Sequence, residues 1–213
     1  MRHRHYSHSW PSRLASEGGR IRVARLTRLT RHLEDPERVR ELRAIEAGLV
    51  EHAFPPQLVV ENTSYCNLKC IHCSHREMVR GQRHMDRDLW DKIAGEVGRH
   101  APECELWPTF YGEALILGDE LWDRLGHAAR RGCRNLVLNS NGTLLGRQDN
   151  IAKVLASPLR RFILSLDGLS REAFEHIRAK AKWDVVYPAV DELCRRRNES
   201  GQRYPLIIAR SRS

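Results

Sequence analysis

The chain has no long apolar segment. No window of about 18 uncharged apolar residues occurs, so the sequence predicts no membrane-spanning helix. The N-terminal stretch "MRHRHYSHSWPSR" has no apolar region behind its basic residues, which argues against a secretory signal. Cysteine is also sparse, with 6 in 213 residues, whereas small secreted domains are dense in disulfides. These absences favour a reducing compartment, and we expect a cytoplasmic protein.

Acidic residues are almost absent from the first 31 positions. This segment holds eight arginines against one acid, Glu17, so it carries +7 of the net charge of +9. We interpret residues 1–53 as a basic N-terminal arm, disordered over residues 1–20 and helical after them. Asp35 as an N-cap and Pro36 at the first helical position predict where that helix begins.

A basic arm of this kind can bind RNA, an anionic membrane or an acidic partner. The sequence carries no signature of an RNA-binding module, however. The simpler interpretation is a helix that docks on the rest of the chain and exposes a solvated basic face.

Short apolar runs alternate with helical patterns from residue 57 onward. The predicted strands are "QLVVEN" (57–62), "CELWPTF" (104–110), "RNLVLN" (134–139), "RFILSL" (161–166) and "YPLIIAR" (204–210). The predicted helices between them cover residues 86–101, 119–132, 149–157, 170–182 and 184–197, several of which begin with an Asp or Ser N-cap. Gly132 stands where a C-cap is expected. This alternation predicts an α/β fold with a parallel sheet, open or barrel-like.

Three cysteines follow the first predicted strand, in the stretch "CNLKCIHC" (66–73). A closed zinc site takes four ligands, and His72 or His75 can supply the fourth. An iron–sulfur cube takes one thiolate for each iron, so three thiolates leave one iron open to an outside ligand. The residues alone leave both alternatives open. Their place, just beyond the carboxyl end of a strand, is where parallel α/β folds carry their chemistry.

The same stretch resembles the CxxxCxxC signature of radical S-adenosylmethionine (SAM) enzymes, with His72 at a position that is usually aromatic. "CNLKC" also resembles relatives that carry a SPASM-type C-terminal extension. The resemblance implies a [4Fe-4S] cluster on Cys66, Cys70 and Cys73, whose fourth iron is chelated by SAM. It further implies that residues 54–213 form a partial (β/α)6 TIM-like barrel of parallel strands.

A second likeness lies after the second predicted strand. "FYGEALIL" (110–117) resembles the family's GGEP-like stretch. Gly112 and Glu113 match it, whereas Tyr111 and Ala114 replace a glycine and a proline. The resemblance implies that this segment binds SAM, with the Glu113 carboxylate accepting from the SAM ammonium group.

"LNSNGTLL" (138–145) resembles the family's TNGxLL segment after the third strand. By this likeness Ser140 and Asn141 offer polar groups to the ribose or methionine part of SAM. Asn-Gly is also an ordinary turn dipeptide, so a simple turn is the alternative.

"SLDGLSREAFEHIR" (165–178) resembles the family's SxDG segment, which follows the fourth strand. The likeness implies that Ser165 contacts SAM and that Arg178 pairs with the methionine carboxylate. Asp167 either binds SAM or shapes the turn. The order of these motifs after successive strands favours the family over a series of unrelated turns.

The implied activity is reductive cleavage of SAM to a 5′-deoxyadenosyl radical, which abstracts hydrogen from an unidentified substrate, a peptide or a small molecule. A flavodoxin or ferredoxin is the implied electron donor. We expect a sixth strand to be missing, the fifth strand to be uncovered and this chain to turn over no natural substrate. The alternatives are a structural zinc protein using Cys66, Cys70, Cys73 and His75, and a nucleic-acid-binding protein using the arm.

The remaining cysteines and two aromatic residues have simpler interpretations. Cys104, Cys133 and Cys194 are scattered and are expected to be packing thiols, because buried free cysteine behaves as a small hydrophobe. Trp107 and Phe110 are expected to fill the barrel.

Overall fold

In a computed structural model the chain divides into two units, Met1–Ala53 and Phe54–Ser213. The structure describes residues 36–37, 39–40, 43–44 and 54–211. Within the first unit these described residues are helical. The segment predicted to be disordered, the Asp35 cap and the rest of the predicted helix lie outside the described residues. The division into a basic arm and a core stays a prediction.

Five strands of the second unit form one parallel sheet, in which the spatial order of the strands is their order along the chain. They are β1 (Gln57–Val59), β2 (Glu105–Trp107), β3 (Asn135–Ser140), β4 (Leu159–Ser165) and β5 (Leu206–Arg210). The helices are α1 (Arg87–His100), α2 (Asp119–Arg130), α3 (Asn150–Ala156), α4 (Arg171–Ile177) and α5 (Trp183–Glu199), with short 3-10 helices at Ser74–Glu77 and Ala114–Leu117. Sequential parallel strands with crossover helices are the winding of a TIM-type barrel. The predicted α/β fold is confirmed.

The helices begin and end largely where turn chemistry predicts. Asp86 caps α1 by accepting from two backbone N–H groups, at 2.9 and 3.3 Å, and Ser170 caps α4 by accepting from Ala173 N at 3.2 Å. Gly132, two residues past α2, has a φ of 105° that suits glycine. Asp149 does not act as predicted, because its side chain makes no cap hydrogen bond.

Three elements are clearly shorter than the sequence predicts. The first strand, predicted over 57–62, ends at Val59. β2 ends at Trp107, because Pro108 has no N–H to donate. The helix predicted over 170–182 ends at Ile177, and Lys180 has a φ of 80°. The carbonyls of Ile177 and Ala179 accept from another loop instead of continuing the helix.

The core lies between the sheet and its helices. Alternate strand residues and one face of each long helix are fully buried there, among them Leu106, Leu136, Leu138, Phe162, Leu164, Trp90, Leu121, Leu125 and Leu193. Each such side chain stabilises the fold by roughly 1.5–3 kcal/mol. Cys104 and Cys133 are buried in the same core and Cys194 packs against it. Among the described residues, no helix has the length and apolar content to cross a membrane.

A buried arginine fastens the end of β1. The Arg124 guanidinium on α2 donates to Asn62 Oδ1 at 2.6 Å, to Met85 O at 2.7 Å and to Glu120 Oε1 at 2.9 Å. Asn62 lies four residues before the first cysteine of the "CNLKCIHC" stretch. The chain therefore enters that loop from a fixed point.

Candidate functional site

A cavity of about 410 Å³ opens at the carboxyl ends of the strands. Its lining includes all ten residues that the sequence nominated: Cys66, Cys70, Cys73, Gly112, Glu113, Ser140, Asn141, Ser165, Asp167 and Arg178. They come from five separate segments of the chain. The structure therefore brings the nominated residues together, while their individual roles as ligands stay predictions.

The cysteine loop, residues 66–73, is anchored to the end of α4. Lys69 N donates to Ala179 O at 3.1 Å, and Ile71 N donates to Ile177 O at 2.9 Å. The last carbonyls of a helix lack partners within the helix, so they are available to a neighbouring loop. This contact places the loop beside Arg178, the residue between the two accepting carbonyls.

A second anchor joins the cysteine loop to the turn after β3. Asn67 Nδ2 donates to Thr143 Oγ1 at 2.7 Å, and Asn67 Oδ1 accepts from Asn141 Nδ2 at 3.0 Å. Asn141 Oδ1 accepts in turn from Thr143 N at 2.9 Å. The side chain of Asn141, nominated as a SAM contact, thus also holds the loop. The sequence offered "CNLKC" only as a likeness and did not indicate this partner of Asn67.

A third anchor is a close approach of two backbones at Gly112. A Cβ atom built on Gly112 would lie 1.9 Å from Thr63 O and 2.9 Å from Tyr65 O. The adjacent Glu113 N donates to Tyr65 O at 2.8 Å. Only glycine fits this position, so Gly112 has a structural reason for its identity.

Glu113 is buried and accepts three hydrogen bonds. Its Oε1 accepts from Ser140 Oγ at 2.9 Å and from Leu115 N at 3.1 Å, and its Oε2 accepts from Asn141 N at 2.7 Å. Burial raises the pKa of the carboxyl, and these donors oppose that shift. A carboxylate oxygen has two lone pairs, so Oε2 keeps one for a further donor.

Arg178 forms a buried ion pair that the sequence did not predict. Its Nη2 donates to Asp167 Oδ2 at 2.7 Å, and His72 Nε2 lies 3.6 Å from the same oxygen. Both partners are about 95% buried. The Nε of Arg178 is buried and has no hydrogen-bond partner among the described residues. A buried donor without an acceptor favours a missing ligand at this place.

Three further lining residues were missed or misplaced by sequence reasoning. Asn139 accepts from Ser165 Oγ at 3.1 Å and lines the cavity together with Arg210. Asn139 and Arg210 could have been found in the sequence from their positions at the carboxyl ends of β3 and β5. Phe110 was expected to fill the barrel, but it is 63% exposed and packs edge-on against Tyr111 at the cavity mouth. Pro108 ends the strand before Phe110, so strand alternation does not extend to it.

The three thiols of the loop are not arranged around a single metal ion. Burial raises the pKa of Cys66 to about 11 and also raises that of Cys70, so binding must displace their protons. Among the described residues, no three His, Cys, Asp or Glu side chains are placed to hold one metal ion. A zinc ion takes all of its ligands on one centre, whereas the cysteines of a cluster bind different irons. His75 Nε2 is moreover 2.8 Å from Ser64 O. The zinc alternative therefore has no support from this geometry.

Comparisons with known proteins agree with this geometry. Residues 60–208 match the family model of the radical SAM superfamily. The chain is 26% identical over 144 residues to the mycofactocin maturase MftC of Mycolicibacterium smegmatis, covering 65% of this chain and 34% of that protein.

Two solved structures share the fold. BtrN in complex with AdoMet and 2-DOIA is 20% identical with a TM-score of 0.55, covering 74% of this chain and 57% of that one. SuiB of Streptococcus suis bound to S-adenosylmethionine is 20% identical with a TM-score of 0.56, covering 85% and 43%. SuiB has also been solved with its precursor peptide SuiA. This chain thus spans about a third to just over half of the length of these proteins.

Proposed function

The chain belongs to the radical SAM superfamily of enzymes, and on that premise we propose that it holds a [4Fe-4S] cluster on Cys66, Cys70 and Cys73 and reductively cleaves SAM. The observation that carries the proposal is the cavity. Three thiols, a buried carboxylate and a buried guanidinium with an unpartnered donor line the same space at the carboxyl ends of the strands.

The chain's own residues suit the amino-acid end of SAM. Glu113 Oε2 has a lone pair left for the ammonium group, and a bound ammonium would favour the ionised carboxylate against the effect of burial. Arg178 has its Nε left for the methionine carboxylate while Nη2 stays on Asp167. Glu113 thus offers an acceptor for the ammonium group of SAM, and Arg178 offers a donor for its carboxylate.

When bound, a cluster of this class supplies the electron that breaks a carbon–sulfur bond of SAM, giving methionine and a 5′-deoxyadenosyl radical. The protein positions the cluster and SAM and shields them from solvent. Asn67 and the backbone groups of Lys69 and Ile71 hold the cysteine loop still. Glu113 and Arg178 would hold the amino-acid end of SAM.

Arg178→Lys tests the SAM part of the proposal. Lysine keeps the charge but loses the guanidinium fork, so it can serve either Asp167 or the ligand. On protein reconstituted anaerobically with iron and sulfide, we expect unchanged iron content and about tenfold weaker SAM binding, the size of one lost hydrogen bond. The measurement is the SAM-dependent change in the electron paramagnetic resonance signal of the reduced cluster.

The matched control is Arg147→Lys, at an exposed arginine outside the cavity. In this variant the resonance signal of the reduced cluster should change at the same SAM concentrations as in the unmodified chain. A cluster signal that ignores SAM in the unmodified protein would defeat the proposal, and colourless protein that holds zinc would replace it with a structural metal site.

We also propose that an acidic electron-transfer protein, such as a flavodoxin or ferredoxin, docks at the cysteine loop. Between Cys66 and Met85 the chain has one acid, Glu77, against four exposed basic residues, Lys69, Arg76, Arg80 and Arg83. Arg80 pairs with Glu61. Complementary charge speeds the encounter of two proteins about 10–1,000-fold at low salt.

Reversing two of these charges, Arg76→Glu with Arg83→Glu, should slow reduction of the cluster by a reduced flavodoxin at least about tenfold at low salt. Reduction by photoreduced deazaflavin, a small molecule, should not change. Arg130→Glu with Arg147→Glu, two exposed arginines outside the cavity, is the control matched for charge. Equal slowing in that control would mean that the effect is one of net charge and not of a docking surface.

All six cysteines are free thiols, which supports the proposal of a reducing, cytoplasmic compartment.

A further inference from the structure

We propose that Asn139 and Arg210 form a subsite for a carboxylate of the substrate, separate from the groups assigned to SAM. The inference rests on the proposed function, because it concerns the second ligand of the same cavity. Both residues line that cavity. Arg210 lies in none of the quoted motifs, and Asn139 lies within residues 138–145 but is given no role by the family resemblance.

Strand register puts these residues on one face of the sheet. Ser165 of β4 lies opposite Arg210 of β5, and Ile163 lies opposite Asn139 of β3. Ile163 and Ser165 are two residues apart on one strand, so their side chains share a face. Asn139, Ser165 and Arg210 therefore form a row across three neighbouring strands at the cavity.

The free groups in this row are donors. The Ser165 hydroxyl donates to Asn139 Oδ1 at 3.1 Å, which uses the amide oxygen and leaves the Nδ2 donor. Arg210 is exposed, and its guanidinium has no hydrogen bond or ion pair among the described residues. Donors on both sides of Ser165 suit a ligand with hydrogen-bond acceptors. Because Arg210 is positively charged, that ligand is expected to be an anion.

Two other charges of the cavity pair with each other, and the Glu113 carboxylate is held by uncharged donors. Arg178 pairs with Asp167, and Glu113 accepts three hydrogen bonds. Arg210 carries a positive charge that forms no ion pair with an acidic side chain of the described residues. A single charge suits a carboxylate, which binds the guanidinium fork with two parallel hydrogen bonds. A phosphate monoester carries about −1.5 to −2 and would leave its excess charge uncompensated.

The test uses the full chain with its cluster reconstituted and two probes, N-acetyl-alanyl-alanine and its C-terminal amide. Binding is measured by titration in nuclear magnetic resonance before SAM is added. We expect the free carboxylate to bind about tenfold more tightly than the amide, the size of one charged hydrogen bond. Arg210→Gln should abolish this preference and Arg147→Gln should retain it. An Arg210→Gln protein that keeps the preference, or a chain that binds both probes equally, would overturn the proposal.

A second measurement distinguishes the two sources of a carboxylate. SAM and decarboxylated SAM are titrated into the unmodified chain and into Arg210→Gln, and we expect no change in either affinity. A loss of SAM affinity of tenfold or more, with decarboxylated SAM unaffected, would assign Arg210 to SAM and overturn the substrate subsite. Failure of the proposed function shows up separately, as a reduced cluster whose signal does not respond to SAM in the unmodified chain.

Discussion

Alanine in place of any one of Cys66, Cys70 and Cys73 should leave a chain that cannot keep a four-iron cluster. A cube of this kind is held by one thiolate for each iron, and the protein supplies only three. With two thiolates left, two irons would depend on outside ligands. We expect iron to fall from about four per chain to below about one, together with loss of the brown colour and of any SAM-dependent resonance signal.

The matched control for these variants is Cys194→Ala on α5. This thiol is half-buried, packs against the core and lies outside the cavity. Its removal should cost a little packing energy, about 1 kcal/mol for a group of this size, and leave iron content unchanged. Equal loss of iron from Cys194→Ala and Cys73→Ala would show that the assay reports folding and not ligation.

The second large effect is expected from one added methyl group, in Gly112→Ala. The new Cβ would lie 1.9 Å from Thr63 O, far inside contact distance, and both neighbours are backbone atoms that cannot rotate away. The adjacent hydrogen bond from Glu113 N to Tyr65 O, 2.8 Å long, would have to stretch or break. We expect a loss of about 3 kcal/mol or more in the free energy of unfolding, at or above the upper range for overpacking.

The same substitution should also lower cluster content, because Gly112 joins the Glu113 segment to the chain that leads into the cysteine loop. Gly81→Ala is the control, since a Cβ there meets nothing within 4 Å. Denaturant unfolding and iron analysis of the two variants check the prediction. It would be wrong if Gly112→Ala unfolded within about 1 kcal/mol of Gly81→Ala, which would mean that the two backbones separate easily.

Several features of the site could be predicted because they are local in the chain. The cysteine spacing is visible in eight letters, and the cap at Asp86 depends on N–H groups two and three residues away. The nominated residues meet in one cavity because nine of the ten lie at or beyond the carboxyl end of a strand, and Arg178 is placed there by the end of α4. In a parallel sheet those ends share an edge, so residues far apart in sequence converge there.

Other features could not be predicted, because they depend on contacts between distant segments. Asn67 bonds Asn141 and Thr143 more than 70 positions away, and the helix predicted to reach residue 182 ends at Ile177 where the cysteine loop takes its carbonyls. Phe110 resembled a core residue by composition alone, yet Pro108 ends the strand before it. Each of these results depends on which segments of the chain are neighbours in the folded structure.

The sequence by itself determined the class of fold, the three candidate cluster ligands and the edge of the sheet that carries them, because strand alternation, helix periodicity and motif spacing are set by near neighbours. Only the tertiary structure decided which groups the nominated residues contact. It paired Arg178 with Asp167, gave Glu113 its three donors and placed Asn139 and Arg210 in one row. The physical reason is that a hydrogen bond is decided by the register of adjacent strands and the path of neighbouring loops, which no local pattern specifies.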